Sequence, residues 1–321
     1  MEYRRMGPTG LKLSALSLGA WVTFGRQLGL EQVKSMLALA RERGVNFFDN
    51  AEAYGNGAAE QLMGRALHEL GWRRDSYIVS SKAFFGSVAD PAPTQRGLSR
   101  KHLIEACHQA LERLQLDYLD LYYCHRPDPE TPIGEVVDTM DLLIRQGKVL
   151  YWGTSEWPAS TLREAIDHAE RHHRFGPVVE QPQYNLLHRE RVEREYAPLC
   201  ERPGLGLTTW SPLASGILTG KYQNGIPAGT RMQLPGMEWL HERLTSEVRD
   251  SVRRLQPLAD SLGLPLQQFA IAWCLKNPHI TSVILGASSL DQLRQNLDSY
   301  AALPKLDTAV MARTERALLD F

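Results

Sequence analysis

The chain has 321 residues, 43% of them hydrophobic, and a formal net charge of −1. That length and apolar content supply a full core, which excludes a disordered chain and a minimal domain that depends on staples. Balanced charge excludes a strongly basic nucleic-acid face, no apolar run reaches the roughly 20 residues that span a bilayer, and four scattered cysteines without a CxxC pair exclude a zinc ribbon.

The opening MEYRRMGPTGLKLS carries charge beside Met1 and lacks the apolar stretch of a signal peptide. The expectation is a cytoplasmic protein with no metal, no nucleic-acid partner and no membrane insertion. Segments 3–6 and 11–14 flank Gly7-Pro8-Thr9-Gly10, a turn composition that predicts a hairpin. Residues 16–20 read as the first core strand. A helix over 31–42 presents Val33, Met36, Leu37 and Ala40 on one face and stops at Gly44. Strand 46–49, helix 58–70 and strand 77–82 follow. Ser99 caps a helix that ends near Leu114, and 118–125 is the fourth strand. The alternation continues through helix 133–145, strand 149–154, helix 160–171, strand 178–183, helix 190–200 and strand 206–210. A Gly- and Pro-rich stretch, 214–242, reads as a long functional loop. Helices between 245 and 276, strand 281–286, helix 290–297 and a tail helix from about 308 complete the chain. Eight strands each followed by helix predict a closed parallel (β/α)8 TIM barrel, one α/β domain over 1–321, rather than an open doubly wound sheet.

Barrels of this kind carry their reactive groups at the C-terminal ends of the strands. The second strand ends in Asp49 with Tyr54 in the loop behind it, the third in Lys82 and the fourth in His125. Taken singly, each has an ordinary alternative: a helix cap, a packing ring, a solvated charge, a satisfied imidazole. Coming from successive strands, they converge on one rim and suit carbonyl reduction. A carbonyl whose carbon gains a hydride needs a proton at oxygen. Tyr54 is expected to supply it. Lys82 is expected to lower the phenol's pKa from its usual value near 10, with Asp49 holding the cation and His125 orienting the carbonyl oxygen. Trp21, Phe24, Tyr54, Phe84 and Phe85 predict an aromatic mouth. No dinucleotide fingerprint is present: Gly204-Leu205-Gly206 lacks the third glycine and precedes a strand. The run 216–222 is too short for a phosphate loop and has Tyr222 in place of the hydroxyl that touches magnesium.

At these residues the chain resembles the aldo-keto reductase superfamily. The resemblance runs from MGPTGLKLSALSLGAW to VILGASSLDQLRQN and includes FFDNAEAYGNGAAEQLMGRAL, IVSSKAFF, YWGTSEW, TTWSPLASGILTGKY and AIAWCLKNP. WVTFG, GLSRKH, LERLQLDYLDL, HRPDPETP and SPLASGILTGKY are most similar to the voltage-gated potassium-channel β-subunit branch and its bacterial and plant relatives. The resemblance implies NADPH/NADP+ bound without a Rossmann domain. It also implies reduction of small aldehydes or ketones to alcohols, with hydride from the nicotinamide C4 and a proton from Tyr54. The alternative it implies is a channel-type regulatory subunit that binds NADP(H) as a redox sensor with little turnover. It further implies a homo-oligomer, tetramer or octamer.

By the same resemblance, Ser155 and Gln181 hold the nicotinamide carboxamide and Trp210 stacks on the ring. Ser211, Pro212, Leu213, Ala214, Ser215 and Lys221 form the loop over the pyrophosphate. Arg231, Gly286, Ser288, Gln292 and Asn296 take the adenosine end, where Arg231 and Ser288 favour a 2′-phosphate. Trp21, Gln27 and Asp49 line the mouth. Three positions depart from the pattern. His125 stands where animal channel subunits carry Asn, which favours a competent reductase. Glu156 stands where they carry Arg, which puts one contact beside the carboxamide in doubt. Gln295 replaces a frequent Glu near the adenine. With the sequence starting just before the hairpin, the N-terminal extension by which some channel subunits plug a pore is not expected here.

Overall fold

The structure is a computed structural model and describes residues 1–318. Strands β1 (Tyr3–Arg5) and β2 (Lys12–Ser14) pair antiparallel as the expected hairpin. The next eight strands are β3 (Leu16–Gly19), β4 (Phe47–Asp49), β5 (Ile78–Ala83), β6 (Leu119–Cys124), β7 (Val149–Thr154), β8 (Val179–Glu180), β9 (Gly206–Thr209) and β10 (Ile280–Leu285). All are parallel, and β10 pairs with β3 to close a barrel. The helices around it are α1 (Leu30–Glu42), α2 (Ala58–Leu70), α3 (Arg100–Leu114), α4 (Ile133–Arg145), α5 (Ala159–Arg171), α6 (Ala197–Glu201), α7 (Ser246–Ser261), α8 (Leu266–Lys276), α9 (Leu290–Ala302) and the tail helix α10 (Thr308–Leu318). Among the described residues no helix is long and apolar enough to cross a membrane.

The period of two along each strand divides the core into two compartments. Leu18, Phe48, Val79, Tyr122, Trp152 and Leu207 face outward and pack under the helices. Phe47, Ile78, Leu121, Tyr123, Val179 and Ile284 face inward and fill the barrel as a separate cluster, which the hairpin residues Met6 and Leu13 join. The hairpin therefore plugs one end of the barrel. Its turn fits because Gly7, at φ +52°, has no Cβ; one built there would lie 2.4 Å from the Val178 carbonyl oxygen. The same parity, two residues beyond Phe47, Tyr123 and Val179 and four beyond Ile78, places Asp49, His125, Gln181 and Lys82 inside the opposite, C-terminal mouth.

Three segments differ from the sequence expectation. The strand expected over 178–183 keeps only two ladder residues, because Pro182 has no N–H to give the ladder. The helix expected over 190–200 is a π-helical turn, Arg191–Glu195, followed by the five-residue α6, with Pro198 in its first turn. The stretch 214–242, expected to be a structureless loop, contains three 3-10 turns at Ala214–Thr219, Arg231–Gln233 and Glu238–Arg243.

Candidate functional site

Register fixes the first group of side chains. β4 pairs with β5 so that Asp49 stands opposite Ser80, and Lys82 lies two residues further along the same inward face. Lys82 is fully buried and spends its ammonium on three acceptors: Asp49 Oδ2 at 2.6 Å, the Asn50 carbonyl at 2.8 Å and the Tyr54 hydroxyl at 3.1 Å. Asp49 is in turn satisfied by the Ser80 hydroxyl at 2.7 Å and the Gln181 amide nitrogen at 3.0 Å, both on Oδ1. The buried charge is thus paired and hydrogen-bonded on all sides, the condition under which burial of an ion pair is tolerable. Burial alone would drive the Lys82 proton off. The Asp49 carboxylate and Tyr54 oxygen outweigh it, so the ammonium holds its proton more firmly than usual.

The sequence expectation of a Tyr54 pKa below its usual value requires correction. Burial of the phenol is the larger effect and raises it. The Lys82 ammonium pulls it down, and Asp49 cancels part of that pull. Tyr54 is therefore a fully protonated donor at neutral pH, one proton away from a cation that stabilises its anion. His125 faces Tyr54 with ring centroids 5.8 Å apart. Burial, then the Lys82 and Arg126 charges, hold its imidazole neutral well below the usual histidine range.

These groups open into one cavity of about 880 Å³. Asp49, Tyr54 and His125 line it, while Lys82 lies beneath and touches it only through its partners. The cavity brings together Trp21, Gln27, Ser155, Gln181, Trp210, Ser211, Pro212, Leu213, Ser215, Lys221, Arg231, Gly286, Ser288, Gln292 and Asn296. Among the residues that the resemblance assigns to the cofactor, Ala214 alone is outside the wall: it sits at φ +48° in a left-handed turn. Phe85 is in the wall, and Phe24 is buried in the core.

Trp210 meets Trp21 edge-on at 6.1 Å. Ser155 donates to the Gln181 carbonyl at 2.8 Å, which ties the ends of β7 and β8 together. Lys221 and Arg231 line the same cavity, and the Arg231 guanidinium carbon lies 5.5 Å from the Trp21 ring centroid. Desolvation and mutual repulsion lower the Lys221 pKa, desolvation lowers that of Arg231, and neither forms an ion pair among the described residues. Beside them the N-terminus of α9, capped by Ser289 onto the Gln292 amide, presents its dipole, with Ser288 just ahead of the cap. Unpaired cations beside a helix N-terminus are an anion site by composition. Among the described residues no group of His, Cys, Asp or Glu is placed to hold a metal ion.

Three residues of the site were not assigned a role from the sequence. Glu156, read there as a doubtful contact, is an anchor: Oε1 accepts the Trp210 indole N–H at 3.0 Å and the Gln183 amide at 2.6 Å, and Oε2 pairs with Arg191 at 2.6 Å. Glu52 is buried and accepts from the Phe84 and Gly86 amides at 2.8 Å each, which pins the turn carrying Phe85. Arg126 lines the cavity beside His125. For Glu52 the available signal was an acid between Asp49 and Tyr54 in a run otherwise fit for burial. For Glu156 no local signal exists, since its partners lie 27 to 54 residues away.

A profile described as the Aldo/keto reductase family matches residues 15–318. A "Probable voltage-gated potassium channel subunit beta" of Arabidopsis thaliana is 49% identical over 320 residues, covering 99% of this chain and 97% of its own. A protein of the same description from Oryza sativa subsp. japonica is 49% identical over 317 residues, covering 98% and 96%.

Proposed function

The chain belongs to the aldo/keto reductase family, and from that premise we propose that it is an NADPH-dependent reductase that converts small aldehydes and ketones to alcohols, with 1–321 working as one domain. The observation that carries the reading is the Lys82 ammonium touching both Asp49 and the Tyr54 hydroxyl at the floor of a cavity whose wall also holds Lys221 and Arg231, neither in an ion pair among the described residues.

The residues present fit a phosphorylated dinucleotide. Lys221, Arg231 and the α9 N-terminus form a cradle for anions that the protein itself leaves unneutralised. The loop 211–216 would cover the pyrophosphate, and Gly286, Ser288, Gln292 and Asn296 would meet the adenosine end. Gln181 spends its amide nitrogen on Asp49, which leaves Oε1 as acceptor for a carboxamide N–H beside Ser155. Trp210, held by Glu156, offers a flat face to a flat ring. When bound, the reduced nicotinamide supplies a hydride to the carbonyl carbon.

The chain's own groups do the rest. Neutral His125 and protonated Tyr54 donate hydrogen bonds to the substrate oxygen and fix its position. As negative charge grows on that oxygen, the Tyr54 proton moves to it. The phenolate left behind is stabilised by Lys82, whose own charge Asp49 secures, and solvent restores the proton. One carbonyl, one NADPH and one proton give one alcohol and one NADP+.

The test is NADPH oxidation with an aldehyde panel by wild type and Tyr54→Phe. Turnover in wild type that falls by about 10²- to 10⁴-fold in the variant supports the assignment. The relatives' descriptions favour one second reading, a channel-associated subunit that senses nucleotide redox state. Tight NADPH binding without turnover on any aldehyde would select it.

A further inference from the structure

We propose that the reaction end of the cavity contains a carboxylate subsite built on Arg126, and that the preferred substrates are aldehydes or ketones that carry a carboxylate group. The proposal rests on the reductase reading and names its substrate class.

The charge balance of the cavity wall carries the argument. Its charged side chains are Asp49, Arg126, Lys221, Arg231 and Arg243. The single acid among the described residues of the wall, Asp49, is already neutralised by Lys82. Lys221 and Arg231 lie close enough to repel one another and are the cations proposed for the phosphates, and Arg243 stacks on Trp239 in the turn at Glu238–Arg243. Arg126 is elsewhere. It follows His125 directly, its Nη1 donates to the His125 carbonyl and, at 3.4 Å, to the Ser155 hydroxyl, and its guanidinium carbon lies 5.7 Å from the Phe85 ring centroid. Its charge is felt at both Tyr54 and His125. A phosphorylated nucleotide would neutralise Lys221 and Arg231 and leave this one uncompensated.

The geometry of the guanidinium completes the case. A guanidinium has five N–H donors, and both hydrogen bonds made here use Nη1. The Nε–Nη2 edge has no partner among the described residues, and Arg126 forms no ion pair there. It is half-buried, where a charge-assisted bond is worth more than at the surface. A free two-donor edge matches a planar carboxylate. Phe85, Tyr54 and Trp21 line the same cavity and suit the apolar body of such a substrate.

The experiment compares kcat/KM for 4-carboxybenzaldehyde and its uncharged methyl ester, in wild type, R126M and R126K at low ionic strength. The ester controls for fold and for the chemistry at Tyr54. The ratio of carboxylate to ester is expected to fall ten- to hundredfold in R126M and to be intermediate in R126K, which keeps the charge and loses the fork. Calorimetry with NADP+-loaded protein gives a reading that does not depend on turnover: benzoate should bind wild type more tightly than benzamide, and R126M should lose that difference. An unchanged ratio in R126M together with equal benzoate binding overturns the subsite. Absence of NADPH oxidation with either aldehyde in wild type, with benzoate selectivity intact, overturns the reductase reading and leaves the subsite standing.

Discussion

Two opposing effects meet at Tyr54. Burial raises its pKa and the adjacent Lys82 ammonium lowers it, with burial the stronger. The reaction needs a protonated phenol and a neutral His125, whose pKa burial depresses. The sign follows for both: acidification through about 6.5, the usual histidine value, leaves His125 neutral, and the phenol keeps its proton until above about pH 10. The expected pH profile of kcat/KM for reduction is flat between about pH 6 and 9, and a steady-state series reads it. A break near 6.5 contradicts the assigned state of His125. The same pair makes a stability prediction. Lys82→Met strands the buried Asp49 carboxylate and should lower unfolding free energy by about 3–5 kcal/mol in urea titrations, while Asp49→Asn with Lys82→Met should recover part of the loss. The four polar residues were legible in the sequence because strand ends are, and their identities and the family resemblance agreed. The direction of the Tyr54 shift was not, because it depends on a balance of desolvation and charge that only packing sets. Arg126 was passed over, and Glu156 read only as a doubtful contact, for a related reason: neither shows its role until its neighbours across the barrel are known.

Alternation along β4, β5 and β6 delivers Asp49, Lys82 and His125 to one rim. That alternation was readable because an inward apolar residue, Phe47, Ile78 or Tyr123, precedes each of them at an even spacing on its own strand. Where backbone chemistry interrupts it, the reading failed, as at Pro182 and Pro198. The turn at Ala214–Thr219 was also hidden, since it rests on left-handed conformations at Ala214 and Ser215, two residues that do not advertise them. Gly216, inside that turn, sits at φ +95°, and a Cβ there would lie 3.0 Å from Lys221 Cε. Gly216→Ala is therefore expected to weaken NADPH binding about tenfold, read by quenching of tryptophan fluorescence, and to cost about 1–2 kcal/mol of stability. An unchanged Kd would remove this loop from the phosphate site.

At the scale of the whole barrel, the hairpin seals one end and the cavity occupies the other, so a ligand spanning from Trp210 to Asn296 touches loops behind most of the strands. Such a ligand stabilises the folded state by mass action, by about 2.7 kcal/mol at a hundredfold excess over Kd. NADPH is expected to raise Tm more than NADH at equal concentration, and Arg231→Ala to narrow the difference, in thermal scans of the two complexes. The closed parallel topology was legible from strand and helix counts alone; the identity of the ligand at its mouth rests on charge, geometry and kinship together. The most direct measurement is transfer of label from NADPH deuterated at the hydride position to an aldehyde, followed by mass spectrometry of the alcohol. One deuterium on the carbinol carbon in wild type, with product all but abolished in Tyr54→Phe, is the predicted result. Tight nucleotide binding with no labelled alcohol from any aldehyde offered would contradict it.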